Sequence, residues 1–325
     1  MPAPTRVVLL AGGFGGARMA HGFDLLGELV ELTIIGNTAD DLELHGLAVS
    51  PDLDTVMYTL AGLANAQTGW GVSDETWSAS AMLERYGQPT WFGLGDRDLA
   101  THITRTARLR TGESLTEVTA ALARALGVRA TLLPMTDDRV RTKLQTADGW
   151  LDFQDYFVRR GHADDVSAVL FEGIEEARPT ADVVAALDAA QLVVIAPSNP
   201  FVSVAPILAL PGLTERLAAS EAPVVAVSPI VGGAALRGPA ASLMRTLGGL
   251  PPTCAGVAAH YARAHPGLVD VLVIDERDQA ETAAVAASGI RPLTARTVIA
   301  TEEERRRLAG QLLTLADAGA RAGRG

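Results

Sequence analysis

The fold of this chain is decided by its N-terminal stretch Val7-Val8-Leu9-Leu10-Ala11-Gly12-Gly13-Phe14-Gly15-Gly16. The stretch begins with consecutive apolar residues and lacks the polar alternation of a half-exposed strand, which is typical of a strand buried on both faces. Four glycines in five positions then allow a tight turn and a close approach of the backbone to a ligand. This stretch predicts the first strand, loop and helix of an α/β protein.

The glycine loop predicts a site for an anion, because a helix that begins after it would present free N–H groups to a phosphate. The loop is not a P-loop, since no Gly-Lys-Ser/Thr follows, and the dinucleotide fingerprint lacks its third glycine. The candidate phosphate- or nucleotide-binding residues are Gly12, Gly13, Gly15 and Gly16. The alternative interpretation is a tight turn between strand and helix without a ligand.

Further apolar runs predict the rest of the sheet. They cover residues 32–35, 192–195, 224–227 and 271–274. Helical periodicity separates the later runs, so the order predicts a Rossmann-like, three-layer α/β fold whose mostly parallel sheet has helices on both faces. Residues 52–127 are helix-prone and poor in Val and Ile. We therefore expect a Rossmann-like core of residues 1–51 and 128–325, with a helical insertion subdomain of residues 52–127.

The composition excludes several classes of function. Lys and Arg total 27 against 38 for Asp and Glu, a net charge of −11, which disfavours nucleic acid and anionic membranes as partners. The lone Cys254 allows neither an intrachain disulfide nor a four-thiolate metal site. Residues 189–214 carry no charge but contain four prolines, which would break a membrane-spanning helix. Because no signal-peptide pattern is present, we expect a soluble, cytoplasmic protein.

Four aspartates follow the second apolar run, namely Asp40, Asp41, Asp52 and Asp54. Four carboxylates at the ends of adjacent elements repel one another when ionised, and a hard cation such as Mg²⁺ relieves that repulsion. We therefore predict a Mg²⁺ site formed by all four. The alternative is helix N-capping, which would explain two of the four.

Two stretches in the helical segment are candidate ligand-binding loops. Alternating glycines followed by charges at residues 93–102 suggest that Asp96, Arg97 and His102 face a ligand. The alternative is an exposed turn with Asp98 as the helix cap. In residues 71–77 the pattern predicts a helix N-terminus capped by Ser73. Trp77 follows this cap, and such a tryptophan is more often part of the core than of a ligand site.

Two loops in the C-terminal half follow buried strands at their carboxyl ends, where ligands bind in open α/β sheets. The first contains Ser198 and Asn199, and the second covers residues 228–233. Arg237 follows the second loop, and its guanidinium could bind a phosphate through two hydrogen bonds. A surface ion pair is the alternative for this arginine. These residues complete a site suited to a nucleotide or a phosphate ester.

At these motifs the chain resembles the family of 2-phospho-L-lactate transferases of coenzyme F-420 biosynthesis, which includes actinobacterial phosphoenolpyruvate transferases. The resemblance is carried, in family order, by residues 12–18, 36–41, 51–60, 74–77, 91–102, 196–200 and 228–230. It implies a donor that is a guanosine diphosphate ester of lactate or enolpyruvate, and an acceptor that is the ribityl hydroxyl of the deazaflavin FO. It further implies release of GMP, a requirement for Mg²⁺ and a homodimer.

The resemblance also implies roles for the candidate residues. Asp40 and Asp54 would be catalytic and hold the metal, with Asp41 and Asp52 nearby, and one of the four would accept the hydroxyl proton. Residues 12–16 with Ser198–Asn199 would bind the guanosine diphosphate. Trp77 and residues 95–102 would face the deazaflavin. Which donor is used, lactyl, enolpyruvyl or glyceryl, is left open by the residues.

Two other functions remain as alternatives. Proteins resembling gluconeogenesis factor share the first loop and the Ser-Asn-Pro loop but act as nucleotide-sugar-binding regulators without catalysis. They are not expected to carry the stretches at residues 74–77 and 95–98, so these stretches favour the enzyme. An NAD-dependent dehydrogenase is disfavoured by the broken fingerprint and by the lack of an acidic ribose ligand in a clear context.

Overall fold

The computed structural model describes residues 3–235 and 238–317. Within them the strands are β1 (Thr5–Ala11), β2 (Val30–Gly36), β3 (Leu42–Leu44), β4 (Leu47–Val49), β5 (Thr131–Pro134), β6 (Arg141–Thr146), β7 (Gly149–Asp152), β8 (Ala168–Glu172), β9 (Leu192–Ile195), β10 (Val224–Val227), β11 (Ile230–Val231), β12 (Ala234–Ala235), β13 (Val271–Asp275) and β14 (Arg291–Ala295).

The α-helices of the same residues are α1 (Gly13–Asp24), α2 (Pro51–Leu60), α3 (Ser78–Arg85), α4 (Asp96–Arg110), α5 (Leu115–Ala125), α6 (Ala181–Ala189), α7 (Ala205–Leu208), α8 (Leu213–Ala219), α9 (Ala240–Thr246), α10 (Cys254–Ala264), α11 (Thr282–Ala287) and α12 (Glu302–Asp317). Short 3-10 helices cover Gly27–Leu29 and Glu276–Glu281. Single π-helical turns cover Asp155–Arg159 and Pro200–Val204.

Seven strands form one parallel sheet in the order β14-β13-β10-β9-β1-β2-β5. This is the Rossmann arrangement extended by one strand, and it confirms the predicted α/β fold. Strands β5 and β14, at the two edges, were not among the apolar runs predicted to form this sheet. Both contain a proline, and β14 is only partly buried, so neither has the continuous apolar pattern of a central strand.

The sheet is buried on both faces. Along β1, Val7 and Leu9 belong to the apolar cluster on one face, whereas Val8 and Leu10 belong to the cluster on the other. The first cluster includes residues of α1, α2, α5 and α12, and the second includes residues of α6, α7, α8 and α10. Because both faces need apolar side chains, the strand is an unbroken apolar run, as its sequence indicated.

Helices α2 to α5 lie within residues 51–125 and so nearly coincide with residues 52–127, which we predicted to be a helical insertion. α2 begins at Pro51, whose fixed φ suits the first helical position, and Asp52 and Asp54 lie in its first turn. α2 packs on α1 and also contacts β5, and α5 packs on β5, so both contact the sheet directly. The separation of residues 52–127 as a subdomain stays a prediction.

The smaller sheets are antiparallel: β3 pairs with β4, β11 pairs with β12, and β6 pairs with both β7 and β8. No single helix in residues 3–235 or 238–317 is long and apolar enough to cross a membrane. One pair, Pro200–Leu208 with Leu213–Ala219, reaches that length and composition together, but the pair is bent by 80°. Its side chains Ile207, Leu213 and Leu217 are buried in the core.

The order of the strands reverses at β1, which lies between β2 and β9. The connections that leave β1 and β9 therefore run to opposite sides of the sheet and open a crevice at its carboxyl edge, where ligands bind in such folds.

Candidate active site

The loops after β1 and β9 are in direct contact at this crevice. The Ser198 hydroxyl donates a hydrogen bond of 2.7 Å to the Gly12 carbonyl. A Cβ added to Gly15 would lie 2.2 Å from the Pro197 carbonyl oxygen, and a Cβ added to Gly12 would lie 2.6 Å from the Ser203 Cβ. These glycines are therefore required by packing between the loops. Both glycines and Ser198 also line the cleft.

Substitution of Gly15 tests this contact. We expect Gly15→Ala to lower the free energy of unfolding by about 1–3 kcal/mol, because the new methyl group would overlap backbone that cannot easily move. Gly310→Ala is the matched control, since its Cβ meets only Leu26 Cδ2 at 4.0 Å and alanine favours the helix. Urea denaturation measures both. A Gly15→Ala variant as stable as the Gly310→Ala variant would contradict the contact.

Asp40 and Asp52 form a carboxylate pair beside the glycine loop, and both line the cleft. Asn37 Nδ2 donates a 3.0 Å hydrogen bond to Asp52 Oδ2, whereas Asp40 Oδ1 is buried and has no hydrogen-bond partner among the described residues. Burial, followed by the charge of Asp52, raises the pKa of Asp40 well above its usual value. Burial raises the pKa of Asp52 to about 6. Neither carboxylate forms an ion pair with a lysine or arginine among the described residues.

Asp41 and Asp54 have other partners. Asp41 Oδ2 accepts a 2.8 Å hydrogen bond from the Ser50 hydroxyl, and burial raises the pKa of Asp41 to about 7. Asp54 lines the cleft, but both of its carboxylate oxygens accept hydrogen bonds from Arg105. Of the four predicted metal ligands, the structure therefore places Asp40 and Asp52 together and pairs Asp54 with the Arg105 guanidinium.

A buried polar network extends from Asp54 along α4. The Arg105 side chain is 1% exposed, and its Nη1 lies 3.1 Å from Asp54 Oδ2 and 3.2 Å from His102 Nδ1. A guanidinium only donates, so His102 Nδ1 accepts and Nε2 carries the ring proton. His102 Nε2 lies 3.2 Å from Asp98 Oδ1, which also accepts a 2.7 Å hydrogen bond from the Tyr58 hydroxyl.

This network holds Asp98 as an anion in the cleft wall. Burial alone would raise the pKa of Asp98, but the contacts with His102 and Tyr58 hold it below the usual value. Tyr58, Asp98 and His102 all line the cleft. Two carboxylates and one guanidinium leave this wall with a net negative charge.

Asn199 is placed to bind a ligand. Its Oδ1 accepts a 2.9 Å hydrogen bond from the Phe201 backbone N–H, which fixes the side chain at the start of the following helical turn. Its Nδ2 is buried and has no hydrogen-bond partner among the described residues, although the residue lines the cleft. This amide is available as a donor to a ligand. Arg237, predicted to bind phosphate, lies outside the described residues.

Three predicted acceptor residues lie away from the cleft wall. Asp96 accepts hydrogen bonds from the Thr76 hydroxyl and the Ala79 backbone N–H, so it joins α4 to the start of α3. Arg97 is exposed and donates to the Ser73 carbonyl. Trp77 is 46% exposed and packs against Gly93. It is not one of the residues that line the cleft.

Several aromatic residues that the sequence reading missed line the cleft, namely Phe14, Tyr58, Trp70, Phe92, Phe153 and Phe157. Phe153 and Phe157 stack at 5.4 Å between ring centroids. The sequence carried one usable signal: Asp98, His102 and Arg105 are spaced four and three residues apart, which places them on one face of a helix. The aromatic residues come from separate segments, and no local pattern joins them.

The cleft has a volume of about 630 Å³ and combines a glycine loop, a carboxylate pair and aromatic walls at the switch point of a parallel sheet. Fold and site together define a Rossmann-like α/β protein with a cleft at the switch point of its sheet, the usual place for a ligand in this fold. The family described as "2-phospho-L-lactate transferase CofD" matches residues 7–310. The chain belongs to this transferase family, as the resemblance in its motifs predicted.

Curated relatives cover nearly the whole chain. A phosphoenolpyruvate transferase of Kitasatospora aureofaciens is 46% identical over 308 residues, which are 92% of this chain and 95% of the relative. Phosphoenolpyruvate transferases of Streptomyces griseus and Mycobacterium marinum are 43% and 42% identical, and cover 96% and 88% of this chain and 98% and 92% of their own lengths.

Solved structures share the fold. The crystal structure of a UPF0052-family protein from Bacillus halodurans has a TM-score of 0.64 and 16% sequence identity, and the match covers 96% of this chain and 99% of the other. At this identity the similarity concerns the fold alone.

Proposed function

We propose that this protein transfers a 2-phospho-L-lactyl or phosphoenolpyruvyl group from a guanosine diphosphate ester to the ribityl hydroxyl of the deazaflavin FO, in coenzyme F-420 biosynthesis. The hydroxyl oxygen forms a bond to the phosphorus that carries the lactyl or enolpyruvyl group. The bond from that phosphorus to GMP breaks, and the hydroxyl proton passes to a carboxylate of the cleft. Family membership and the names of the relatives support a transferase of this kind.

The observation that carries the proposal is the Asp40–Asp52 pair beside the glycine loop. Phosphoryl-type transfer depends on positioning and charge neutralisation more than on a protein nucleophile. Near this pair the cleft offers the N-terminal end of α1 and the free Asn199 Nδ2, which suit the diphosphate of the donor. A nucleotide phosphate bound here would therefore meet both hydrogen-bond donors and carboxylates.

The residues present fit Mg²⁺. Asp40 Oδ1 is buried without a hydrogen-bond partner among the described residues, and carboxylate oxygens are hard ligands of the kind that Mg²⁺ prefers. Asp40 and Asp52 would hold the ion, with Asp41 behind them. When bound, Mg²⁺ would neutralise charge on the diphosphate. Asp54, already paired with Arg105, would instead hold α2 against α4.

A transfer assay tests the proposal. The protein is incubated with FO, Mg²⁺ and, in separate reactions, the lactyl, enolpyruvyl or glyceryl diphosphate ester of guanosine, and the products are identified by mass spectrometry. We expect a deazaflavin phosphodiester and GMP in equal amounts. The ratio of kcat/KM among the esters identifies the preferred donor. Absence of product with all three esters would refute the transferase proposal.

The same assay addresses the non-catalytic alternative. A nucleotide-sugar-binding regulator would bind a nucleotide sugar, would not bind FO, and would release no GMP from the esters. Two further properties stay predictions, namely a homodimer, which sedimentation equilibrium measures, and a cytoplasmic location, which cell fractionation measures.

A further inference from the structure

Trp70 occupies an unusual position at the rim of the cleft. It lies near the tip of the hairpin that follows α2, which is closed by hydrogen bonds from Asn65 N to the Gly71 carbonyl and from Ser73 N to the Leu63 carbonyl. Gly69 and Gly71, on either side of it, have φ values of +79° and +71°, which only glycine adopts without strain. The backbone conformation of these two glycines allows the hairpin to turn so that the Trp70 ring lines the cleft.

The Trp70 ring is anchored on one side and accessible on the other. Its Cη2 lies 3.1 Å from the position of a Cβ on Gly93, so the ring edge rests on the backbone just before α4. The side chain is still 49% exposed, although it lines the cleft. A tryptophan with a supported edge and a free surface in a concave site is suited to stack on a planar ligand.

The charge of the adjoining wall indicates which substrate binds there. Asp54 and Asp98 are carboxylates; Arg105 pairs with Asp54, whereas the Asp98 carboxylate contacts His102 and the Tyr58 hydroxyl, so a phosphate without a bound cation is disfavoured at this wall. A neutral molecule with hydroxyl groups is favoured, because its hydroxyls can donate to a carboxylate. The donor diphosphate has its own partners at the glycine loop and Asn199.

We infer that Trp70 is the residue that positions the acceptor, by stacking on the planar ring system of the deazaflavin. This inference rests on the proposed transferase function. Trp77, which the sequence suggested for this role, lies on the same Gly93 but outside the cleft lining, and so provides a matched control.

The test compares binding of FO and of GDP to the full chain by titration calorimetry in wild type, Trp70→Ala, Trp70→Phe and Trp77→Ala. Loss of one stacking ring raises a dissociation constant about tenfold, so we expect the dissociation constant of FO to rise by about that factor in Trp70→Ala. Trp70→Phe should restore most of the affinity, Trp77→Ala should bind FO like the wild type, and GDP binding should be unchanged in all variants.

Two results would overturn the inference: FO binding by Trp70→Ala equal to that of the wild type, or a parallel loss of FO and GDP binding, which indicates a purely structural role. These results differ from failure of the proposed function. If the wild type itself binds no FO, the transferase proposal fails together with the inference; if it binds FO and Trp70→Ala binds equally well, only the inference fails.

Discussion

Asp40→Asn is expected to reduce turnover at saturating Mg²⁺ by about a hundredfold or more, since metal-ion charge stabilisation is worth several kcal/mol. The substitution keeps the shape of the side chain and removes one charge from the Asp40–Asp52 pair. Mass-spectrometric product formation measures the effect. Asp182→Asn, at the exposed start of α6, is the control and should be fully active.

The same substitution should not destabilise the metal-free protein. Burial and the charge of Asp52 raise the pKa of Asp40 in the folded state, so the ionised form of Asp40 opposes folding, and this cost grows as the pH rises above the unfolded value. An uncharged asparagine removes that cost. We expect the melting temperature of Asp40→Asn at neutral pH, with a chelator, to equal or exceed that of the wild type. An active variant, or an inactive one that melts well below the wild type, would contradict the assignment.

Arg105→Met is expected to lower the free energy of unfolding by about 3–5 kcal/mol, because it leaves the Asp54 carboxylate buried without its partner. The matched control is Arg108→Met on the same helix. Its ion pair with Glu113 is about one-third exposed on each side chain, so solvent screens the charges and little stability is lost. Urea denaturation measures both variants.

A double substitution separates the ion pair from packing. If the uncompensated charge is the cause, Asp54→Leu combined with Arg105→Met should recover most of the stability lost in Arg105→Met. A double variant that is even less stable would show that the shape of the Arg105 side chain matters more than its charge.

The central part of the fold was predictable because burial on both faces leaves a continuous apolar pattern, as in β1, β9 and β10. The edge strands β5 and β14 contact a neighbour on one side only, carry polar residues, and so lack that pattern. The antiparallel sheet of β6, β7 and β8 lies within residues 131–172, which carry only short alternating stretches, so the sequence indicates strands there but not how they pair.

For the site, the sequence could predict that Asp40 and Asp52 lie close together. Both follow β2 in the chain, and residues that follow a parallel strand lie at the carboxyl edge of the sheet. The sequence could not show that Asp54 is paired, because the partner Arg105 comes from a separate helix. The sequence also could not show which of Trp70 and Trp77 faces the cleft. Both tryptophans lie near Gly93, and only the path of the hairpin decides which ring faces the cleft.

The strand order has a consequence for synthesis on the ribosome. β1, β2 and β5 are neighbours and all lie in the first part of the chain, but the other edge of β1 pairs with β9, through contacts such as Val7 with Leu192. Until β9 emerges, the nascent chain exposes an apolar strand edge that can pair with other chains. The loop that forms the second side of the crevice contains Ser198 and Asn199, and it emerges from the ribosome just after β9. If the donor binds at Ser198 and Asn199 as proposed, we expect it to bind only after this late step and not to assist the early stages of folding.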